Sequence, residues 1–333
     1  MMKKFASLLL FALLLNGCDD GDLTVDTIDF TNVTATSCDP VTNTLIYKLK
    51  PQEALLFQLP VDKLVNDPTV NDTLFYNIDN VSYRVFYRAY DGTVTKSTIC
   101  DAIPPASPKV TEEWFATGGK IQIVTKTVYK DPAPDDGHTE IVGYNHNIIF
   151  KGITFSTPGP EQTQDEYVFG DYQTPVTSII IAFTDQIAKY CDVQHKVYNS
   201  NQANSLVIEN LNPDLIKNED TAPGAPRTGT IGQTSNSTTI NNLFYRIYNG
   251  NLPTETKEYY CVDNTPTNPT IKETWTGVPG VANVSGIIEV STSHVNKVYK
   301  HKVVLRNVTM KKLNSTFKIA TEFVLGEVTT IAP

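Results

Sequence analysis

The chain has 333 residues, with 36 acidic side chains against 27 basic ones and a formal net charge of −9 at pH 7. That balance excludes a nucleic-acid or anionic-lipid partner engaged through a basic surface. Its length exceeds what one small core usually organises, so two domains are expected.

The first element in chain order is a leader. Met1-Met2-Lys3-Lys4 precedes an apolar run from Phe5 to Leu15, which is too short for a bilayer that takes about 20 apolar residues and fits a secretory signal. The following Leu14-Leu15-Asn16-Gly17-Cys18 resembles a bacterial lipobox. Asp19, Asp20 and Asp22 behind it resemble the acidic surface-export signal of Bacteroidota-type lipoproteins. The resemblance implies a signal peptide over residues 1–17, acylation of Cys18, an acidic tether over 18–25, and an outer-membrane location facing the cell exterior. Each buried methylene of such an anchor contributes about 0.8 kcal/mol. A leftover thiol beside an ordinary cleavage site is the alternative. In enteric-type systems an aspartate directly after the cysteine reads instead as inner-membrane retention.

Beyond the tether the chain is a succession of Thr-, Tyr-, Ile- and Val-rich stretches broken by Pro, Asn, Asp and Gly. Val81 to Arg88 and Lys120 to Val124 alternate as half-buried strands do, and no 3.6-residue apolar period is sustained. An all-β protein is predicted. The chain also repeats itself. Phe30-Thr31 before Cys38-Asp39 returns as Phe183-Thr184 before Cys191-Asp192. Phe86-Tyr87-Arg88-Ala89-Tyr90-Asp91-Gly92 returns as Phe244-Tyr245-Arg246-Ile247-Tyr248-Asn249-Gly250, each closing on a turn dipeptide. Trp114 and Trp275 each stand 14 positions after a cysteine, Cys100 and Cys261. Tyr144-Asn145-His146 then matches Tyr299-Lys300-His301, and Glu166 to Gly170 matches Glu322 to Gly326. The expected units are 26–174 and 176–333, joined near Pro175, where a short proline-bearing linker limits hinge freedom.

Each unit is expected to be an immunoglobulin-like β-sandwich in the architectural sense only. True immunoglobulin domains carry their tryptophan between the two cysteines, whereas here it follows the second. Setting Cys18 aside leaves four cysteines, and pairing Cys38 with Cys100 and Cys191 with Cys261 keeps each repeat self-contained. Reduced core cysteines are the alternative; no cysteine or histidine pair has metal-ligand spacing.

Chemistry is sparse. No nucleophile elbow, His-Glu-x-x-His or phosphate-cradling Gly-rich loop occurs, so the chain reads as non-enzymatic and without a cofactor. His146 and His301 hold equivalent places, as a duplicated site would require and as a satisfied strand histidine explains equally well. From Gly119 to Tyr144 the first repeat spans 25 positions, against 13 from Gly286 to Tyr299 in the second. The longer hairpin, with Asp131, Asp135, Asp136 and Glu140 around His138, is thus a candidate for function and a weak candidate for calcium, against the plainer reading of a solvated tip. Tyr87, Tyr90, Tyr245 and Tyr248 are candidate sugar-stacking residues, with burial as the alternative. Asp-Thr-apolar triplets at Thr27, Thr73 and Thr221 resemble the O-glycosylation sequon of exported Bacteroidota proteins. Together these features point to a surface lipoprotein serving as an interaction subunit of an outer-membrane protein complex. Glycan capture for an importer is the second expectation.

Overall fold

A computed structural model of the chain describes residues 28–70, 74–253 and 255–332. Cys18, Asp19, Asp20, Asp22, Thr27 and Thr73 lie outside the described residues, as do the leader and the tether. What is described is nearly all antiparallel β-structure.

In the first repeat β1 (Thr36–Ser37), β2 (Leu45–Lys50), β3 (Glu53–Gln58), β5 (Arg84–Tyr90), β6 (Val110–Tyr129), β7 (Ile141–Ser156) and β8 (Gln162–Pro175) pair in that order. The short β4 (Leu74–Asn77) pairs with the far half of β6. The long strands fold over midway. Pairing of β6 with β7 slips on either side of Gly118, and Gly119 sits at φ +116°, where an added Cβ would meet the carbonyl of Gly152 at 2.9 Å. Only glycine allows that approach.

The second repeat makes the same crossing with broken strands. One sheet runs β20 (Ser315–Lys318), β19 (Thr309–Lys312), β16 (Ile271–Gly277), β15 (Asn242–Tyr248), β11 (Asn204–Glu209), β10 (Lys196–Asn201) and β9 (Lys189–Cys191). The other runs β12 (Arg227–Thr230), β17 (Ile287–Val295), β18 (Val298–Arg306) and β21 (Glu322–Ile331). The pair β13 (Gln233–Ser235) and β14 (Thr238–Ile240) is a small separate hairpin. One core lies between the two main sheets, with Val197, Leu206 and Trp275 from the first facing Ile288, Val303 and Leu325 from the second. The arrangement is sandwich-like, and strand pairing stays within 36–175 or within 189–331.

Strand alternation explains the unbroken apolar runs. In β3, Leu55 and Phe57 enter the main core while Ala54 and Leu56 turn to a smaller cluster on the outer face. In β11, Leu206 and Ile208 enter the main core and Val207 turns outward. Buried on both faces, such strands lose the polar half of their pattern. Each outer cluster is capped by a short helix, α1 (Lys96–Cys100) or α2 (Lys257–Tyr260), whose end is stapled to the sheet by Cys38–Cys100 or Cys191–Cys261. These are the two pairings that the repeat demanded. They close loops of 62 and 70 residues, each contributing about 4 kcal/mol on the entropic account.

Candidate functional site: the joint between the repeats

Both repeated histidines are fully buried, and each spans two threonines. His146 Nδ1 lies 2.9 Å from Thr125 Oγ1 and Nε2 lies 3.0 Å from Thr174 Oγ1. Thr174 in turn donates to Asn66 Oδ1 at 2.6 Å. The second repeat builds the same ladder from Thr292, His301 and Thr330, ending on Asn218. Counting protons fixes the tautomer. Since the far threonine spends its hydrogen on asparagine, it must accept from Nε2–H, which leaves Nδ1 to accept from Thr125 or Thr292. Arg227 donates to Thr292 Oγ1 at 2.9 Å, which occupies one lone pair of that oxygen and leaves its hydrogen for Nδ1. Burial lowers both histidines to about 4, with the Arg227 charge adding to the effect at His301. They are neutral structural links.

The ladders pin a strap to the edge of the sheet. Beyond Asn66, the strap's Thr69 amide donates to the Thr125 carbonyl, and the Thr125 amide to Thr69 Oγ1. Thr221 does the same with Thr292 in the second repeat. Between Asn66 and Thr69 the first strap carries Asp67, which reaches across to the β19–β20 turn. Asp67 Oδ1 accepts from the Asn314 and Ser315 amides at 2.9 and 3.0 Å and from Ser315 Oγ at 3.1 Å, while Oδ2 accepts from Asn314 Nδ2 at 2.8 Å. The Tyr144 hydroxyl meets Ser315 Oγ at 2.9 Å.

The long hairpin between β6 and β7 completes the joint. Thr139 and Lys318 exchange two hydrogen bonds, the Thr321 amide donates to the Asp136 carbonyl, and Tyr129 Oη donates to the Thr316 carbonyl. Gly137 lies so close that a Cβ would stand 2.5 Å from Thr321 Oγ1. The insertion is therefore a clasp between the repeats, while Asp131, Pro132, Ala133, Asp135 and Asp136 at its tip are exposed, as a solvated tip requires. Its acids are spent locally, Asp136 on His138 and Glu140 on Lys130 and His138. Among the described residues no group of three or more His, Cys, Asp or Glu side chains is placed to hold a metal ion, Asp131 and Asp135 included. The connection near Pro175 continues as residues 176–188, where Val176, Ile179, Ile181 and Phe183 pack on the second core.

Under the joint lies a cleft of about 460 Å³ walled by Tyr144, Ile179, Tyr245 and Trp275. Trp275 Nε1 donates to Glu273 Oε1 at 2.5 Å, and Lys312 Nζ sits 3.0 Å from the same oxygen. The first repeat holds the equivalent corner as a 260 Å³ hollow lined by Glu53, Tyr87, Glu112 and Trp114, where the Trp114 Nε1 has no acceptor. The two corners share their aromatic floor and differ in what covers them.

The remaining candidates resolve plainly. Tyr87, Tyr90, Tyr245 and Tyr248 are all buried, so none offers a ring face to a sugar. Thr221 is half-buried with its hydroxyl bonded to the Thr292 backbone. His195 sits in the turn between β9 and β10, and the exposed His294 pairs with Asp220 at 2.9 Å. Sequence reading missed Asn66, Asp67, Thr125, Thr174 and their counterparts. The one signal for them was the recurrence of His146 as His301. The chain matches no known protein family, and no curated protein or solved structure matches it.

Proposed function

We propose that the chain is a non-enzymatic surface lipoprotein, tethered to the outer membrane through Cys18, whose two immunoglobulin-like sandwiches display an interaction surface to an outer-membrane protein complex. The observation that carries the reading is the use to which chemically capable side chains are put. The paired histidines sit neutral in threonine ladders, the four cysteines form disulfides, and both tryptophans lie in the core. The clasp and the Asp67 clamp brace one repeat against the other, as a display arm requires. Glycan capture is the weaker reading because the repeated tyrosines are buried.

The test is to tag the C-terminus, extract membranes in mild detergent and identify what co-purifies. Recovery of one membrane complex in near-equal amount is expected. Recovery of the chain alone, at several detergent strengths, would overturn the reading.

A further inference from the structure

The two tryptophan corners correspond residue for residue. Asn204, Tyr245, Ile247, Lys272, Glu273 and Trp275 line the cleft of the second repeat, and Glu53, Tyr87, Ala89, Thr111, Glu112 and Trp114 line the hollow of the first. Over the second corner lies the connection, with Val176 and Ile179 packed on the core and Thr177, Ser178 and Ile180 completing the wall. At the first corner the described chain begins with Ile28, which itself lines the hollow. The sequence just before Ile28 repeats the connection. In the frame fixed by Phe30 and Phe183, Leu23-Thr24-Val25-Asp26-Thr27-Ile28-Asp29-Phe30 sets against Val176-Thr177-Ser178-Ile179-Ile180-Ile181-Ala182-Phe183. Places 177, 180 and 182 of the connection are exposed, and 176, 178, 181 and 183 are half-buried. The counterparts of the exposed places are Thr24, Thr27 and Asp29, and those of the half-buried places are Leu23, Val25, Ile28 and Phe30. One pattern of apolar burial therefore serves both segments. Asp26, in the place of Ile179, is the one departure. It falls in the repeat where the indole N–H of the buried Trp114 meets no acceptor among the described residues.

We propose that residues 23–27 are the cover of the first repeat, docked over the Trp114 corner as residues 176–180 lie over the Trp275 corner. Ile28 fixes where the segment enters, since it is 5% exposed and packs in the same core as Trp114. Five residues reach about 18 Å when extended, enough to cross the hollow. A segment joined to Ile28 is delivered at an effective concentration on the order of millimolar, which places it ahead of a second copy or another protein. The inference deepens the surface-lipoprotein reading and rests on it for one consequence. With Leu23 docked, residues 19–22 alone separate the first repeat from Cys18, a reach of about 14 Å. The protein then stands on the membrane as a fixed arm instead of swinging on residues 18–25.

The experiment places a photo-crosslinking amino acid in the full chain, in the producing cells, at Thr111 on the exposed rim of the hollow or at its counterpart Lys272. The probe at 272 should mark the peptide holding residues 176–180, which calibrates the measurement. The probe at 111 is expected to crosslink within the chain to the peptide holding residues 23–27. Leu23→Asp should lower that yield at least tenfold, and Thr24→Asp, at an outward place, should leave it within twofold. An adduct from 111 with another protein, with a second copy or with any other part of this chain overturns the proposal. So does an adduct that Leu23→Asp leaves unchanged, or none beside a normal adduct from 272. The mass of the N-terminal peptide reports separately whether Cys18 is acylated. An acylated Cys18 without the expected adduct overturns the proposal and spares the surface-lipoprotein reading. The adduct in a chain that carries no lipid sustains the docked segment and overturns that reading.

Discussion

The two ends that carry a histidine ladder are the same piece of chemistry in different surroundings. At the joint the strap bearing Asp67 is held on one side by Asn66 and Thr69 and engaged on the other by the Asn314-Ser315 turn. At the far end the strap bearing Glu219 has the same inner fastening, but no second turn reaches Glu219 among the described residues; instead Asp220 pairs with His294, whose ring stacks on Tyr299. The ladder therefore belongs to the strap and not to the interface, because it forms whether or not a neighbour is present. What the joint adds is the clasp of residues 130–140, which the second repeat lacks. A buried polar chain satisfied in one proton arrangement rigidifies an edge that would otherwise fray. A rigid edge can then present an acid in a fixed place.

The largest effect that probes this comparison is acid. Each histidine has an ordinary value of 6.5 and is lowered to about 4 in the fold, so the unfolded chain binds the proton first as pH falls. Stability present above about pH 6.5 is lost progressively and is fully spent near pH 4, at a cost on the order of 3 kcal/mol per histidine. Urea denaturation at pH 7 and pH 4.5 measures it. His146→Gln and His301→Gln should each flatten part of the slope, and equal slopes in the variants and the native chain would break the assignment.

A smaller effect separates the straps. Asp67→Ala removes charge-assisted bonds to the turn and should destabilise the fold by about 2 kcal/mol. Glu219→Ala, at an exposed position, should stay within about 0.5 kcal/mol of the native chain. Equal losses at the two positions would show that the joint contributes nothing beyond strap chemistry.

The smallest concerns the tryptophan corners. Glu273→Leu leaves the Trp275 indole N–H without its acceptor and should cost about 1 kcal/mol. Glu112→Leu in the first repeat, where Trp114 makes no such bond, should be nearly neutral. The difference in denaturation midpoint between the two variants is the readout, and a larger loss at Glu112 would reverse the assignment.

Of the two strands singled out by alternation, Lys120 to Val124 lies within Val110–Tyr129, whereas of Val81 to Arg88 only the part from Arg84 is strand and the amides of Val81, Ser82 and Tyr83 turn onto Asp79 Oδ1. The runs Ala54 to Phe57 and Ser205 to Ile208 hid their periodicity because both faces are covered. Of the joint, only the unusual length of the hairpin and the recurrence of His146 as His301 were legible. Asp136 and Glu140 suggested a metal because composition records which ligands are present and not that His138 and Lys130 engage them.

The sequence by itself determined the all-β character, the duplication and, through it, the pairing of Cys38 with Cys100 and Cys191 with Cys261. Those follow from period, spacing and order along the chain, which local physics fixes. Only the tertiary structure decided that residues 66, 69, 125, 146 and 174 form one hydrogen-bonded ladder, and that the inserted hairpin closes on Lys318 and Thr321. Alternation tells which side chains share a face; what covers that face depends on contacts between strands far apart in the chain.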